Sequence, residues 1–149
     1  MFFGKTFGEI LSGAVGRNTQ HAGSDMQTFE SVVAALPEEP MLTVPQLPFE
    51  HLASGKVREI YDLGDRLLIV ASDRLSAFDV ILPDGIPGKG VLLTQLSLWW
   101  FAQAEAVFPT HLVPEHGSEL GRVLADFPDL RYRSMLVKKL KPMPLEAVV

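Results

Sequence analysis

Apolar residues fall in short runs broken by polar punctuation, and the runs predict a mixture of hairpin strands and helices. Lys56–Tyr61 and Arg66–Ala71 read as two strands joined by Asp62-Leu63-Gly64-Asp65, a hairpin-turn signal. Phe78–Leu82 predicts a third short strand, stopped by Pro83-Asp84-Gly85. Gly90–Phe108 carries the longest helical pattern: Leu93, Leu96, Trp100, Ala104 and Val107 share one stripe, and Pro109 ends it. Leu92, Trp99 and Phe101 widen the apolar arc, so the helix is expected to be covered on more than one side, with Trp99 and Trp100 in packing roles. Thr110–Val113 and Ser134–Leu140 predict strands, and Ser118–Asp126 a short helical turn. Upstream, Phe29, Val32, Val33 and Leu36 predict a short helix over Thr28–Leu36. Pro37, Pro40, Pro45 and Pro48 then force an extended lead-in to a compact part that begins near His51. Strands and helices without regular βαβ alternation predict an α+β fold.

Composition narrows the classes. A length of 149 residues suggests one domain with a real core, and 47% hydrophobic with 21% charged residues is ordinary for a globular chain. A net charge of −5 argues against a generic nucleic-acid binder but leaves room for a local cationic pocket. No apolar run approaches the ~18 residues of a membrane span. Gly4, Lys5, Gly8, Glu9 and Gly13 interrupt what a signal peptide would keep apolar, so export is not expected and the cytoplasm is. Without cysteine there are no disulfides and no thiolate metal sites. His21, His51, His111 and His116 show no metal-ligand spacing, and no metal-binding residue is assigned. Residues 1–25, rich in Gly, Ser, Thr and Asn, read as a disordered leader, an expression remnant or an upstream mis-start, with Met26 as the natural beginning and 26–49 as the lead-in.

Three segments carry candidate chemistry. Gly55-Lys56-Val57-Arg58 lacks the P-loop pattern; taken alone it reads as a glycine bend opening a strand with solvated cations. Asp73-Arg74-Leu75-Ser76-Ala77-Phe78-Asp79 is denser in polar groups than an ordinary turn between hydrophobic strands needs. Pro87-Gly88-Lys89-Gly90 at the head of a helix fits an anion site, where unpaired N–H groups and the dipole favour phosphate, as well as it fits plain loop chemistry.

In order and wording these blocks resemble the SAICAR synthetase family (phosphoribosylaminoimidazole-succinocarboxamide synthases), together with Leu92-Leu93-Thr94-Gln95-Leu96-Ser97 and Val137-Lys138-Lys139-Leu140 followed by Pro144-Leu145-Glu146-Ala147-Val148-Val149. The resemblance covers about residues 50–149. It implies an N-terminal ATP-binding lobe, an antiparallel sheet with a packed helix, related to ATP-grasp and kinase-like nucleotide folds. It also implies an ATP-dependent ligase (EC 6.3.2.6) joining L-aspartate to carboxyaminoimidazole ribonucleotide in purine biosynthesis. By the same resemblance Gly55, Lys56, Val57, Arg58 and Tyr61 cover the ATP phosphates, while Val137, Lys138 and Leu140 form the hinge that meets adenine, with Glu146 beyond it. These two segments are expected beside one another as walls of one cleft. Ser76, Asp79 and Lys89 are assigned to substrates. Mg²⁺ is implied, with ligands expected beyond residue 149, so residues 1–149 alone are expected to be inactive. The alternative is a non-catalytic fragment or pseudoenzyme lobe with residual nucleotide binding. Partners are small molecules, not nucleic acid or membrane, and a homo-oligomer is compatible with the sequence.

Overall fold

The computed structural model describes residues 29–114 and 116–145; the leader expected over residues 1–25 lies outside the described residues. Helix α1 spans Phe29–Ala34. Strands β1 (Glu50–Ser54), β2 (Arg58–Asp62) and β3 (Arg66–Ala71) are followed by the hairpin β4 (Arg74–Ala77) and β5 (Val80–Gly85), then by helix α2 (Lys89–Ala104). Helix α3 (His116–Val123), a 3-10 turn (Pro128–Arg133) and strand β6 (Ser134–Lys138) complete the order. Four strands pair in the order β1-β2-β3-β6, all antiparallel, and β4-β5 forms a separate ribbon. Among the described residues no helix is long and apolar enough to cross a membrane.

The alternating pleat of β2 and β3 splits their side chains between two faces. Tyr61 pairs with Leu68, and Leu68 with Leu136, on the core face. Val113, Leu120, Leu124 and Leu130 from the chain after α2 close over them. The proline-rich lead-in is part of this core: Val44 and Leu47 are buried, and Met41 and Phe49 pack against the cluster. The compact unit therefore starts well before His51, because extended backbone still presents alternate residues to a sheet. Strand β1, which no hydrophobic run announces, is exposed throughout and is recruited by pairing with β2.

Two expectations change. Phe78 is not in a strand: Phe78 and Asp79, at φ 48° and 66°, form the two-residue turn of the β4-β5 ribbon. Two left-handed residues match the twist of a tight hairpin but are usually Asn or Gly. Pro83 does not stop the strand, since it sits between the Ile81 and Gly85 pairings, where the ribbon's register shifts. The stripe expected on α2 is also displaced. The helix buries Gly90, Val91 and Thr94, while Leu92, Leu96 and Trp100 stay exposed, Trp100 to 60%. A Cβ on Gly90 would lie 2.6 Å from the Ala71 carbonyl, so the glycine lets α2 approach the end of β3 and thereby turns the helix.

His116 gives the fold a pH dependence. Its Nδ1 accepts the Leu136 N–H at 3.2 Å, and burial pushes its pKa down to about 4. The unfolded chain would bind a proton near pH 6.5, so between about 6.5 and 4 the unfolded state holds more protons. Stability then falls as pH is lowered through that window, by up to about 3 kcal/mol. Denaturant unfolding at pH 7 and pH 4.5 should show this loss, and His116→Gln, which keeps an acceptor but cannot be protonated, should lose much less. Equal losses in both proteins would remove His116 as the cause.

Candidate functional site

The second face of the sheet does not meet the main core. It meets the first turns of α2, leaving a groove between them. Its floor is apolar, from Ile69, Ala71 and Met135; Val57, Arg58 and Ser72 edge one side, and Lys89, Gly90, Leu93, Thr94 and Ser97 the other. Ile60, Ile69 and Met135 lie in one row across β2, β3 and β6, so the floor follows from strand register. Two cations, Arg58 and Lys89, stand on opposite walls, and the Lys89 Nζ donates to the Arg74 carbonyl at 3.1 Å. The space enclosed is about 20 Å³, room for about one water molecule, so the apolar floor and the two cations form a tight seam with a cationic rim and not a preformed pocket of ligand size.

Asp73 fixes the corner where these walls meet. It is fully buried and receives Arg133 through both oxygens, Nη1 to Oδ1 at 2.9 Å and Nη2 to Oδ2 at 3.1 Å. The Gly90 N–H donates to Oδ1 at 2.7 Å and the Met41 N–H to Oδ2 at 2.9 Å. Burial pushes the carboxyl up, but Arg133 and the two N–H donors outweigh it and hold the pKa below the usual carboxylate range. This corrects one reading: at the N-terminus of α2 the chain's own Asp73 takes the Gly90 N–H, so the helix end is not an open anion site there. Lys89 still faces the groove.

The other sequence-assigned residues separate into groups. Gly55 and Lys56 lie on the turn that leads into Val57 and Arg58; the Gly55 N–H donates to the Arg58 carbonyl at 2.7 Å. Lys56 pairs with Asp79, linking this turn to the tip of the β4-β5 ribbon that also carries Ser76. Tyr61 is in the main core, 5% exposed, away from the groove, and burial raises its pKa. Val137 pairs with Leu67 and is buried, whereas Lys138 and Leu140 are exposed; Glu146 lies outside the described residues. The expected adjacency of the two segments is not what the sheet builds. Arg58 pairs with Ala71 at one end of β3, and Lys138 pairs with Arg66 at the other. They share a sheet but stand at its opposite ends, about 17 Å apart along the strand at ~3.3 Å per residue. At the far end Lys139 pairs with Asp62, whose pKa falls through that contact and the Gly64 N–H.

Arg74, Glu59, Asp73 and Arg133, the polar groups that shape the site, were not assigned roles from sequence. Asp73 and Arg133 are 60 positions apart, and no local spacing signals such a pair. Glu59 carried no such signal either: its strand reads Arg58-Glu59-Ile60-Tyr61-Asp62, where one more charged residue is unremarkable.

Comparison with known proteins identifies the family of the chain. The SAICAR synthetase family profile matches residues 51–149. A phosphoribosylaminoimidazole-succinocarboxamide synthase of Polaromonas naphthalenivorans is 59% identical over 99 residues, covering 66% of this chain and 32% of that protein. One from Leptothrix cholodnii is 50% identical over 121 residues, covering 79% of this chain and 37% of that protein. A solved SAICAR-synthase from Saccharomyces cerevisiae, complexed with SAICAR, superposes with a TM-score of 0.57 at 38% identity, covering 66% of this chain and 36% of that one. The chain spans about a third of the length of the curated relatives it matches.

Proposed function

The chain belongs to the SAICAR synthetase family, and from that premise we propose that it forms the nucleotide-binding part of an ATP-dependent ligase of purine biosynthesis, a phosphoribosylaminoimidazole-succinocarboxamide synthase. The observation that carries the reading is the groove: an apolar sheet face lined on its two sides by the cations Arg58 and Lys89. The reaction couples two steps. A carboxylate oxygen of carboxyaminoimidazole ribonucleotide attacks the γ-phosphorus of ATP; the bond to the bridging oxygen breaks and ADP leaves. The amine of L-aspartate then attacks the acyl phosphate carbon, phosphate departs with the C–O electron pair, and the amine loses a proton to give the amide. A free carboxylate would have to expel oxide, which is why phosphorylation comes first.

In this chain the groove residues bind, orient and neutralise. Mg²⁺ does not fit the groups present. Among the described residues no three His, Asp or Glu converge on a point. Both Asp73 oxygens are engaged by Arg133, Gly90 and Met41, and the exposed Asp79 pairs with Lys56. The metal would supply charge neutralisation between phosphates, and no step is assigned to it here.

Filling the groove tests the reading. Ser97 lies on the helix wall, its Oγ donating back to the Leu93 carbonyl at 2.9 Å, so a larger side chain enters the groove without entering the main core. Ser97→Trp should abolish the calorimetric signal of ATP at concentrations that saturate the original chain, with thermal unfolding little changed. Retained ATP binding in that variant would place the nucleotide elsewhere.

A further inference from the structure

The turn that leads into the groove is held from behind. Arg74 donates from Nη2 to the Gly55 carbonyl at 3.0 Å and from Nε to the Lys56 carbonyl at 2.9 Å. The next carbonyl, that of Val57, accepts the Ser72 N–H at 3.0 Å and the Ser72 hydroxyl at 3.1 Å. Three consecutive carbonyls are thus drawn onto the Ser72–Arg74 segment. In a trans peptide the C=O points opposite to the N–H of the following residue. The N–H groups of Lys56 and Val57 are therefore turned away from Arg74, and among the described residues neither makes a hydrogen bond.

Arg74 is itself fixed. Its Nη2 also donates to Glu59 Oε1 at 2.8 Å, while Glu59 Oε2 accepts the Ser54 hydroxyl at 2.5 Å and lies 3.0 Å from His51 Nε2. Glu59 is 7% exposed. Burial raises its pKa, but the Ser54, Arg74 and His51 contacts outweigh that and keep the carboxylate ionised. Neither Arg74 nor Lys56 lines the groove, whereas Val57 and Arg58 do, so the turn stands at the groove's rim with Arg74 behind it.

We propose that Arg74 is the positioning residue of the phosphate turn: through the Gly55 and Lys56 carbonyls it presents the Lys56 and Val57 amides to a nucleotide phosphate that it does not touch. The inference rests on the nucleotide reading above. Two N–H groups aimed before the ligand arrives bind an anion without the cost of being ordered by it. A lysine could not substitute, because a point ammonium cannot span two carbonyls and a carboxylate as a planar guanidinium does.

Titration calorimetry with ATP and with adenosine separates the roles, using the original chain, Arg74→Met, Arg74→Lys and the double variant Arg74→Met/Glu59→Gln. The double variant removes the buried charge that Arg74→Met alone would leave without its partner, guarding against simple misfolding. Arg74→Met should weaken ATP about tenfold while changing adenosine less than about twofold, the signature of lost preorganisation rather than lost fold. Arg74→Lys should behave like Arg74→Met although it keeps the charge, and the double variant should show the same phosphate-selective loss. Equal losses for ATP and adenosine, or recovery of ATP affinity by Arg74→Lys, would overturn the inference while leaving the nucleotide reading intact. An original chain that binds neither ligand would overturn both.

Discussion

Asp73→Asn should lower the unfolding free energy by about 3–5 kcal/mol, the scale set by removing one partner of a buried ion pair. Arg133 is 1% exposed and cannot lose its proton, so the variant leaves a guanidinium buried beside a neutral amide. The amide also presents one oxygen and one NH₂ group where the carboxylate accepted four donors, so at least one N–H donor among Arg133, Gly90 and Met41 faces another donor. These contacts join the lead-in, the end of β3, the head of α2 and the end of the 3-10 turn, so the loss is global. For a domain stable by about 5–15 kcal/mol that is a large fraction of the total. Equilibrium urea unfolding at pH 7 measures it. Asp73→Leu/Arg133→Met should regain much of the loss, because the cost lies in the orphaned charge. A single-variant loss under about 1 kcal/mol would show that the pair does not hold this corner.

The second large effect concerns turnover. Assayed with aspartate, carboxyaminoimidazole ribonucleotide and ATP, residues 1–149 alone should release ADP at least about 10³-fold more slowly than the Polaromonas naphthalenivorans relative. The reacting phosphates carry several negative charges. Among the described residues the groove lining offers two cations, Arg58 and Lys89, and Lys56 is already paired with Asp79. The groove also meets water at its helix wall, where the lining residue Leu93 is 42% exposed. A solvated, partly neutralised γ-phosphate loses the electrostatic stabilisation on which phosphoryl transfer depends. Comparable turnover in the two proteins would show that these residues are self-sufficient, whereas ATP binding without turnover fits a nucleotide-binding part.

How much of this was legible follows local physics. The β2-β3 hairpin was readable because its turn chemistry and strand pattern agree: Asp62 Oδ1 accepts the Gly64 N–H at 2.8 Å, and Gly64 sits at φ 88°. The motifs singled out Val57, Arg58 and Lys89, and the fold brings the three to one groove, although the resemblance had assigned Lys89 to substrates and not to ATP. The buried face of α2 was not, because the helix is apolar nearly all round and its rotation is decided by the close approach at Gly90, a tertiary constraint. The same limit applies to Asp73 and Arg133: each looks like an ordinary charged residue until the fold brings them together. Tyr61 was placed by its motif, but the two-residue period of β2 puts it beside Leu68 in the core.

Amide chemical-shift mapping on the isotope-labelled chain titrated with ATP locates the nucleotide residue by residue. Shifts should concentrate on Lys56, Val57, Arg58, Ala71, Ser72, Lys89, Gly90 and Thr94, the perturbations at Lys56 and Val57 being larger with ATP than with adenosine. Shifts centred instead on the roomier groove of about 480 Å³ lined by Pro40, Met41 and Tyr132, or no shifts at millimolar ATP, would contradict it.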